Sequence, residues 1–160
     1  MTEAAEHGDL VTLSGVTCGY LGEAVLVDVD LSIRSGEFVG IVGPSGAGKT
    51  TALRVLTGSM RAAHGSVTRR PGLRMAYVPQ VEAINWSFPV TVTECVLMAR
   101  VSGRRLPWAS RAERAQVAEV LERLGIGELA GRHIRELSGG QQQRVFIARA
   151  LLGEPELLLM

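Results

Sequence analysis

Cysteine, aromatic residues and long apolar runs are all scarce in this chain. Its 160 residues include 2 cysteines, Cys18 and Cys95, and only 4% are aromatic. The cysteines lie far apart and form no metal or redox spacing, so a reduced, cytosolic setting is expected. No apolar run approaches the roughly 18 residues that read as a membrane-spanning helix. Any membrane role is therefore expected to go through a partner. Met1 to Leu10 is polar and acidic, which argues against a secretory signal. An excess of one charge is missing too: 17 Lys and Arg stand against 16 Asp and Glu, a net charge of +1. Nucleic-acid binders usually carry a basic patch or stripe. Here Arg69-Arg70 and Arg104-Arg105 are balanced by acidic residues elsewhere and read as solvated loops, so no nucleic-acid partner is expected. His7, His64 and His133 are isolated, stand in no ligand or catalytic spacing, and read as surface residues. Repeats and low-complexity segments are lacking. What is present is an ordinary composition, 46% hydrophobic, long enough for one domain with a real core.

The first third reads as strands. Leu10 to Val16 is short and alternating. Val25, Val27, Val29, Leu31 and Ile33 alternate with Leu26, Asp28, Asp30 and Ser32, which predicts a half-buried strand with the second set on its polar face. Arg34-Ser35-Gly36 predicts a turn. Glu37 to Val42 is a near-continuous apolar run and predicts a strand buried on both faces. A helix is expected from Lys49 to Thr57, stopped by Gly58, then strands over Gly65 to Thr68 and Leu73 to Val78. Thr91 and Glu94 form a capping box for a helix ending near Arg100, and Ser110 and Glu113 form another. Ser102 to Pro107 between them reads as a loop. Val117, Val120, Leu121 and Leu124 fall at helical spacing, with Gly125 as C-cap. A last helix is expected from Ser138 to about Gly153, and Glu156 to Met160 begins an apolar strand.

Two segments carry phosphate chemistry. Gly43-Pro44-Ser45-Gly46-Ala47-Gly48-Lys49-Thr50, followed by Thr51, fits G-x-x-x-x-G-K-[ST] at every fixed position, between an expected strand and an expected helix. Glycines let the backbone wrap with its N–H groups inward as an anion nest. The helix N-terminus adds about half a positive charge. Lys49 can reach the β- and γ-phosphates, and Thr50 offers magnesium a hydroxyl. The second segment is Leu137-Ser138-Gly139-Gly140-Gln141-Gln142-Gln143-Arg144. Ser138 is an N-cap residue type, and Gly139 and Gly140 leave the first backbone N–H groups accessible, a second anion site at a helix start.

Together these motifs resemble the nucleotide-binding subunit of an ATP-binding cassette (ABC) transporter. That resemblance implies that each ATP is sandwiched between the P-loop of one copy and Ser138, Gly139, Gly140 and Gln141 of a second, head-to-tail copy. It implies an aromatic at Tyr20 that stacks on adenine. It also implies that Gln80, ending the string Ala76-Tyr77-Val78-Pro79-Gln80, is the switch glutamine that contacts magnesium and the attacking water. Lys49 and Gln80 are then the catalytic residues, Thr50 and Gln80 the Mg²⁺ ligands, and ATP the nucleotide. Ile84-Asn85-Trp86-Ser87-Phe88-Pro89-Val90-Thr91-Val92 places apolar residues in a loop, which suggests a partner surface. It resembles the WxFPVTV pattern of the manganese/zinc/iron-chelate importer group, as do Leu106-Pro107-Trp108 and Leu137 to Leu151. The group often flanks the tryptophan with acidic residues, where this chain has Asn85 and Ser87.

The fold implied is an α/β P-loop NTPase core with an N-terminal antiparallel β subdomain and an inserted α-helical subdomain. Residues 10–80 are expected to form the β subdomain and P-loop core, and residues 90–152 the helical subdomain with the signature motif. The function implied is ATP hydrolysis driving metal-ion uptake at the cytoplasmic face of the plasma membrane. Integral membrane permease subunits would meet the loop around Trp86 to Val90, and a substrate-binding protein would act indirectly. Leu157 to Met160 reads as the strand that runs into the family's Asp and Glu. The 160 residues alone are therefore expected to hydrolyse essentially nothing and to be poorly soluble. Rival classes are a soluble, non-transport ABC ATPase, which usually shows paired cassettes or a coiled-coil insertion, and a non-catalytic nucleotide-binding fragment.

Overall fold

The computed structural model describes residues 8–79, 89–100 and 109–160. It divides into two compact units, Met1–Met75 and Ala76–Met160. Among the described residues no helix is long and apolar enough to cross a membrane.

In the first unit, strands β1 (Asp9–Tyr20), β2 (Glu23–Arg34) and β3 (His64–Arg69) form an antiparallel sheet in the order β2-β1-β3. β1 runs well past the expected Leu10–Val16. It is closed onto β2 by a two-residue turn, Leu21-Gly22, with φ of 51° and 87°. Positive φ at both central residues is the geometry whose twist suits a tight hairpin. A leucine in the first position is an unusual sequence signal for it.

β2 also departs from simple alternation. The register pairs Leu13 with Leu31, Val16 with Val29 and Cys18 with Leu26. β1 therefore gains one residue between the first two pairs and β2 gains one between the last two. Gly15 and Asp28 sit at these bulges with φ of 57° and 51°. Displaced backbone donors are taken up by side chains: Gly15 N donates to Asp30 Oδ1 at 2.8 Å and Asp28 N to Thr17 Oγ1 at 3.0 Å. The bulge reverses the strand's facing. Leu26, expected on the polar face, is buried, while Val27 is exposed and Val25 is partly so. The core of this unit is Leu10, Val11, Leu13, Val16 and Cys18 of β1 and Leu26 and Ile33 of β2, with Val55 and Leu56 of helix α1 (Lys49–Thr57).

α1 begins and ends where expected, with Gly58 as left-handed C-cap (φ 79°). Arg69, expected in a solvated loop, instead lies in β3 and donates from Nε to Leu56 O (2.9 Å) and from Nη2 to Val55 O (2.6 Å). A cation on the last carbonyls of a helix satisfies orphan acceptors and complements the dipole.

The buried strand expected over Glu37 to Val42 does not form. The segment has no strand hydrogen bonding, and Phe38 and Val42 are 93% and 92% exposed. A strand exists only through a neighbour's ladder. The apolar run supplies suitable side chains, but no described residue supplies the pairing.

In the second unit, β4 (Met75–Tyr77) and β5 (Leu157–Leu159) form a two-stranded sheet, continued by Val78 N donating to Leu159 O at 2.9 Å. Helices α2 (Val92–Leu97), α3 (Arg111–Arg123) and α4 (Gly139–Leu151) pack around Val92, Cys95, Val96, Val117, Leu121, Ile126, Val145 and Phe146. Both expected capping boxes are present. Thr91 Oγ1 accepts from Glu94 N (3.3 Å) while Thr91 N donates to Glu94 Oε2 (2.8 Å). Ser110 and Glu113 repeat the exchange at 3.2 and 2.7 Å. α2 is shorter than expected, its end tightening into a 3₁₀ turn over Met98–Arg100. Leu124 caps α3, and Gly125 follows with φ of 64°.

A backbone ribbon then ties the start of α2 to the segment that leads into α4. Ile134 N donates to Val90 O (3.1 Å), Val92 N to Arg132 O (3.0 Å) and Thr93 N to Ala130 O (3.1 Å). His133, expected at the surface, lies within this ribbon, half-buried, with Nδ1 enclosed and unpartnered among the described residues. His64 is exposed as expected, and His7 lies outside the described residues.

Candidate functional site

The Gly43–Thr51 loop delivers the chain onto the N-terminus of α1. Gly43, Gly46 and Gly48 take φ of 159°, 84° and 85°, values that L side chains rarely adopt. Gly48 is constrained twice. A Cβ there would stand 2.9 Å from Leu26 Cδ2 and 3.1 Å from Val25 Cγ1. A side chain there would have to displace the ends of Leu26 and Val25 on β2 while holding a backbone conformation that favours glycine. The β2 bulge that turns Leu26 inward is part of what shapes the loop.

The loop closes on itself through Ala47 N donating to Pro44 O at 3.2 Å. Its surface is open, with Gly43 to Ala47 exposed. Lys49 Nζ donates to Gly43 O (2.8 Å) and Pro44 O (2.7 Å), so the ammonium is held at the loop's own rim. No side chain caps α1: Gly48 occupies the N-cap with no side-chain hydrogen bond. The first backbone donors of the helix are left for a ligand. Glycine-rich backbone, an uncapped helix start and a lysine at the rim fit a polyphosphate. Thr50 is exposed in the first turn. Among the described residues no three His, Cys, Asp or Glu cluster to hold a metal ion.

Tyr20 ends β1 with 43% of its surface exposed. Its phenol oxygen accepts from Arg54 Nη1 of α1 at 2.8 Å. The side chains of Thr51, first, and Arg54 hold the phenol below the usual tyrosine range. The sequence reading missed Arg54. Its only signal is helical spacing, Thr51 and Arg54 standing at i and i+3 on one face.

The second motif is a helix start of another kind. Ser138 is the N-cap of α4, as its residue type predicts, and its Oγ accepts from Gln141 N at 3.4 Å. Gln141 Oε1 accepts in return from Ser138 N at 2.9 Å. This third capping box was legible as Ser-x-x-Gln yet absent from the sequence reading. Gln142 is buried and its Nε2 donates to Ile134 O at 3.1 Å, pinning the segment before the motif. A Cβ at Gly139 or Gly140 would meet nothing within 4 Å. Packing among the described residues does not demand these glycines, and they leave open space above the helix start.

Gln80 and the loop residues Ile84 to Phe88 lie outside the described residues, as do Leu106, Pro107 and Trp108. Of the partner loop only Pro89 and Val90 are described. Val90 is half-buried and carries the ribbon to Ile134.

Comparison with known proteins bears on the family and the fold. The family model of the ABC transporter matches residues 26–160. The chain is 49% identical over 138 residues to the zinc import ATP-binding protein ZnuC of Cereibacter sphaeroides, covering 86% of this chain and 53% of that protein. It is 40% identical over 169 residues to the zinc transport system ATP-binding protein TroB of Treponema pallidum, covering 100% of this chain and 63% of that protein. It thus spans only part of the length of these curated relatives. Among solved structures, a nucleotide-free ATP-binding cassette from an ABC transporter superposes at TM-score 0.80 with 24% identity, over 94% of this chain and 68% of that one. The fold is accordingly that of the ABC ATPase type, and the chain belongs to the ABC transporter family.

Proposed function

We propose that the chain is the greater part of the ATP-binding subunit of an ABC importer that hydrolyses ATP to drive uptake of a divalent metal ion of the zinc or manganese type. The observation that carries this reading is the pair of helix starts. One is left uncapped behind a glycine loop that packs closely against β2. The other is self-capped beneath two glycines that packing among the described residues does not need. The metal class rests on relatives whose names state zinc import or transport.

In this reading the P-loop, Gly43 to Thr51, wraps the phosphates and Tyr20 supports the adenine. Lys49 exchanges its two loop carbonyls for phosphate oxygens, so its charge is presented without drawing a cation from solvent. Thr50 and Gln80 would hold Mg²⁺, which when bound supplies charge neutralisation on the phosphates. Gln80 also orients the water. Ser138, Gly139, Gly140 and Gln141 close on the nucleotide of a second copy, where the open space above Gly139 and Gly140 admits the γ-phosphate. Residues 10–80 act as β subdomain and P-loop core, and residues 90–152 as the helical subdomain. The loop around Trp86 to Val90 meets the permease at the cytoplasmic face of the plasma membrane, and the Val90–Ile134 ribbon carries that contact toward Ser138.

The test is complementation of a bacterial strain lacking its zinc importer. The full-length gene product with its permease restores growth under zinc limitation, and Lys49→Ala does not. Growth restored equally by Lys49→Ala would overturn the reading.

A further inference from the structure

Tyr20 is the last residue of a strand, beside a hairpin turn whose Leu21 is fully exposed. The hydrogen bond that its phenol oxygen accepts comes from the helix that starts at the phosphate loop, from Arg54 Nη1 at 2.8 Å. Among the described residues the Arg54 guanidinium makes no ion pair; its hydrogen bond goes to the phenol. Thr51 lies two residues beyond Lys49, and Arg54 one helical turn further.

We propose that Arg54 is a positioning residue for base recognition, clamping the Tyr20 ring to α1 so that aromatic platform and phosphate loop keep one fixed separation. Base and triphosphate are then read by a single rigid element. Without the clamp the ring is free to swing with the hairpin tip, and an ordering cost falls on every binding event. This inference rests on the reading of Tyr20 as the adenine support. It adds that the support works only while its hydroxyl is held, which a plain stacking role does not require.

The test uses the full-length gene product and two probes, ATP and inorganic tripolyphosphate, with affinities measured by calorimetry. Arg54→Ala and Tyr20→Phe are each expected to weaken ATP about fivefold, the scale of one hydrogen bond, and to leave tripolyphosphate unchanged. The double variant is expected to bind ATP no more weakly than either single one. Tyr20→Ala is expected to weaken ATP by about tenfold or more. Equal losses toward both probes would assign Arg54 to the phosphates and overturn the clamp, and additive losses in the double variant would overturn it too. If Tyr20→Ala weakens ATP while Arg54→Ala does not, the platform stands and the clamp falls. If Tyr20→Ala leaves ATP binding intact, the adenine reading of Tyr20 itself falls. Arg54 is exposed and alanine is the best helix former, so an unchanged melting temperature in Arg54→Ala separates loss of the clamp from loss of the helix.

Discussion

The starts of α1 and α4 face the same physical problem and solve it in opposite ways. Each must satisfy backbone donors that have no intrahelical partner. α4 does so from within: Ser138 and Gln141 take up each other's backbone N–H groups. α1 does not, since Gly48 has no side chain to offer and Lys49 spends its ammonium on loop carbonyls. The glycines differ in the same sense. Gly48 is pressed against Val25 and Leu26, whereas Gly139 and Gly140 face open space. A helix start completed by its ligand binds strongly and is incomplete alone. One completed by its own side chains stands ready and contributes mainly shape.

The largest expected effect breaks this contrast at the glycines. Gly48→Ala places a Cβ 2.9 Å from Leu26 Cδ2 at φ +85° and is expected to cost about 2–3 kcal/mol, with loss of nucleotide binding. Gly139→Ala should leave stability unchanged or raise it by up to about 1 kcal/mol, while nucleotide-driven closure of two copies fails. Chemical denaturation and sedimentation with ATP read the two quantities. Equal destabilisation by both substitutions would erase the distinction.

Next is Lys49→Ala. Removing one charge-assisted hydrogen bond of about 1.5–3 kcal/mol predicts roughly ten- to a hundredfold weaker ATP binding by titration calorimetry. Ser138→Ala comes third. It should lower unfolding stability by about 1 kcal/mol through loss of a cap, measured by urea denaturation, with no change in single-copy ATP affinity.

The smallest effect sharpens the comparison with a third helix start, that of α2. The backbone N–H and the hydroxyl of Thr91 hold the Glu94 carboxyl below its ordinary value of 4.5. Its contribution is therefore fully present above that pH and is lost as pH falls through the folded value. Thermal melts between pH 6 and about pH 3 should show a fall that Glu94→Gln flattens. α4, capped by a neutral glutamine, should show no such dependence in its own exchange protection.

What could be read from the chain follows the range of the interactions. α1, the capping boxes at Thr91 and Ser110 and the N-cap at Ser138 were legible, because each is decided within four residues. The glycine loop was legible because backbone conformation leaves few alternatives to glycine. The facing of Leu26 was not, since it depends on which residue of a distant strand lies opposite. Arg69 looked like a solvated charge because the helix end it caps lies more than ten residues away. Glu37 to Val42 carries the composition of a buried strand, yet composition does not provide a neighbour. Arg54 is the same lesson at the site: helical spacing puts it beside Thr51, but only the sheet brings Tyr20 within reach.

The bulges at Gly15 and Asp28 are the places where the β1–β2 hairpin can change length at little cost. Strand facing is a matter of odd and even, and a one-residue change within regular pairing turns every side chain that follows to the other face. At a bulge the extra residue is already set aside. Loss of position 15 would leave Leu13 and Val16 on one face and opposite Leu31 and Val29, as in a regular strand. The same loss within the regular pairing of Val11 to Leu13 has no spare residue to absorb it. The hairpin thus carries its own tolerance for insertion and deletion, placed several residues before the tyrosine that ends β1.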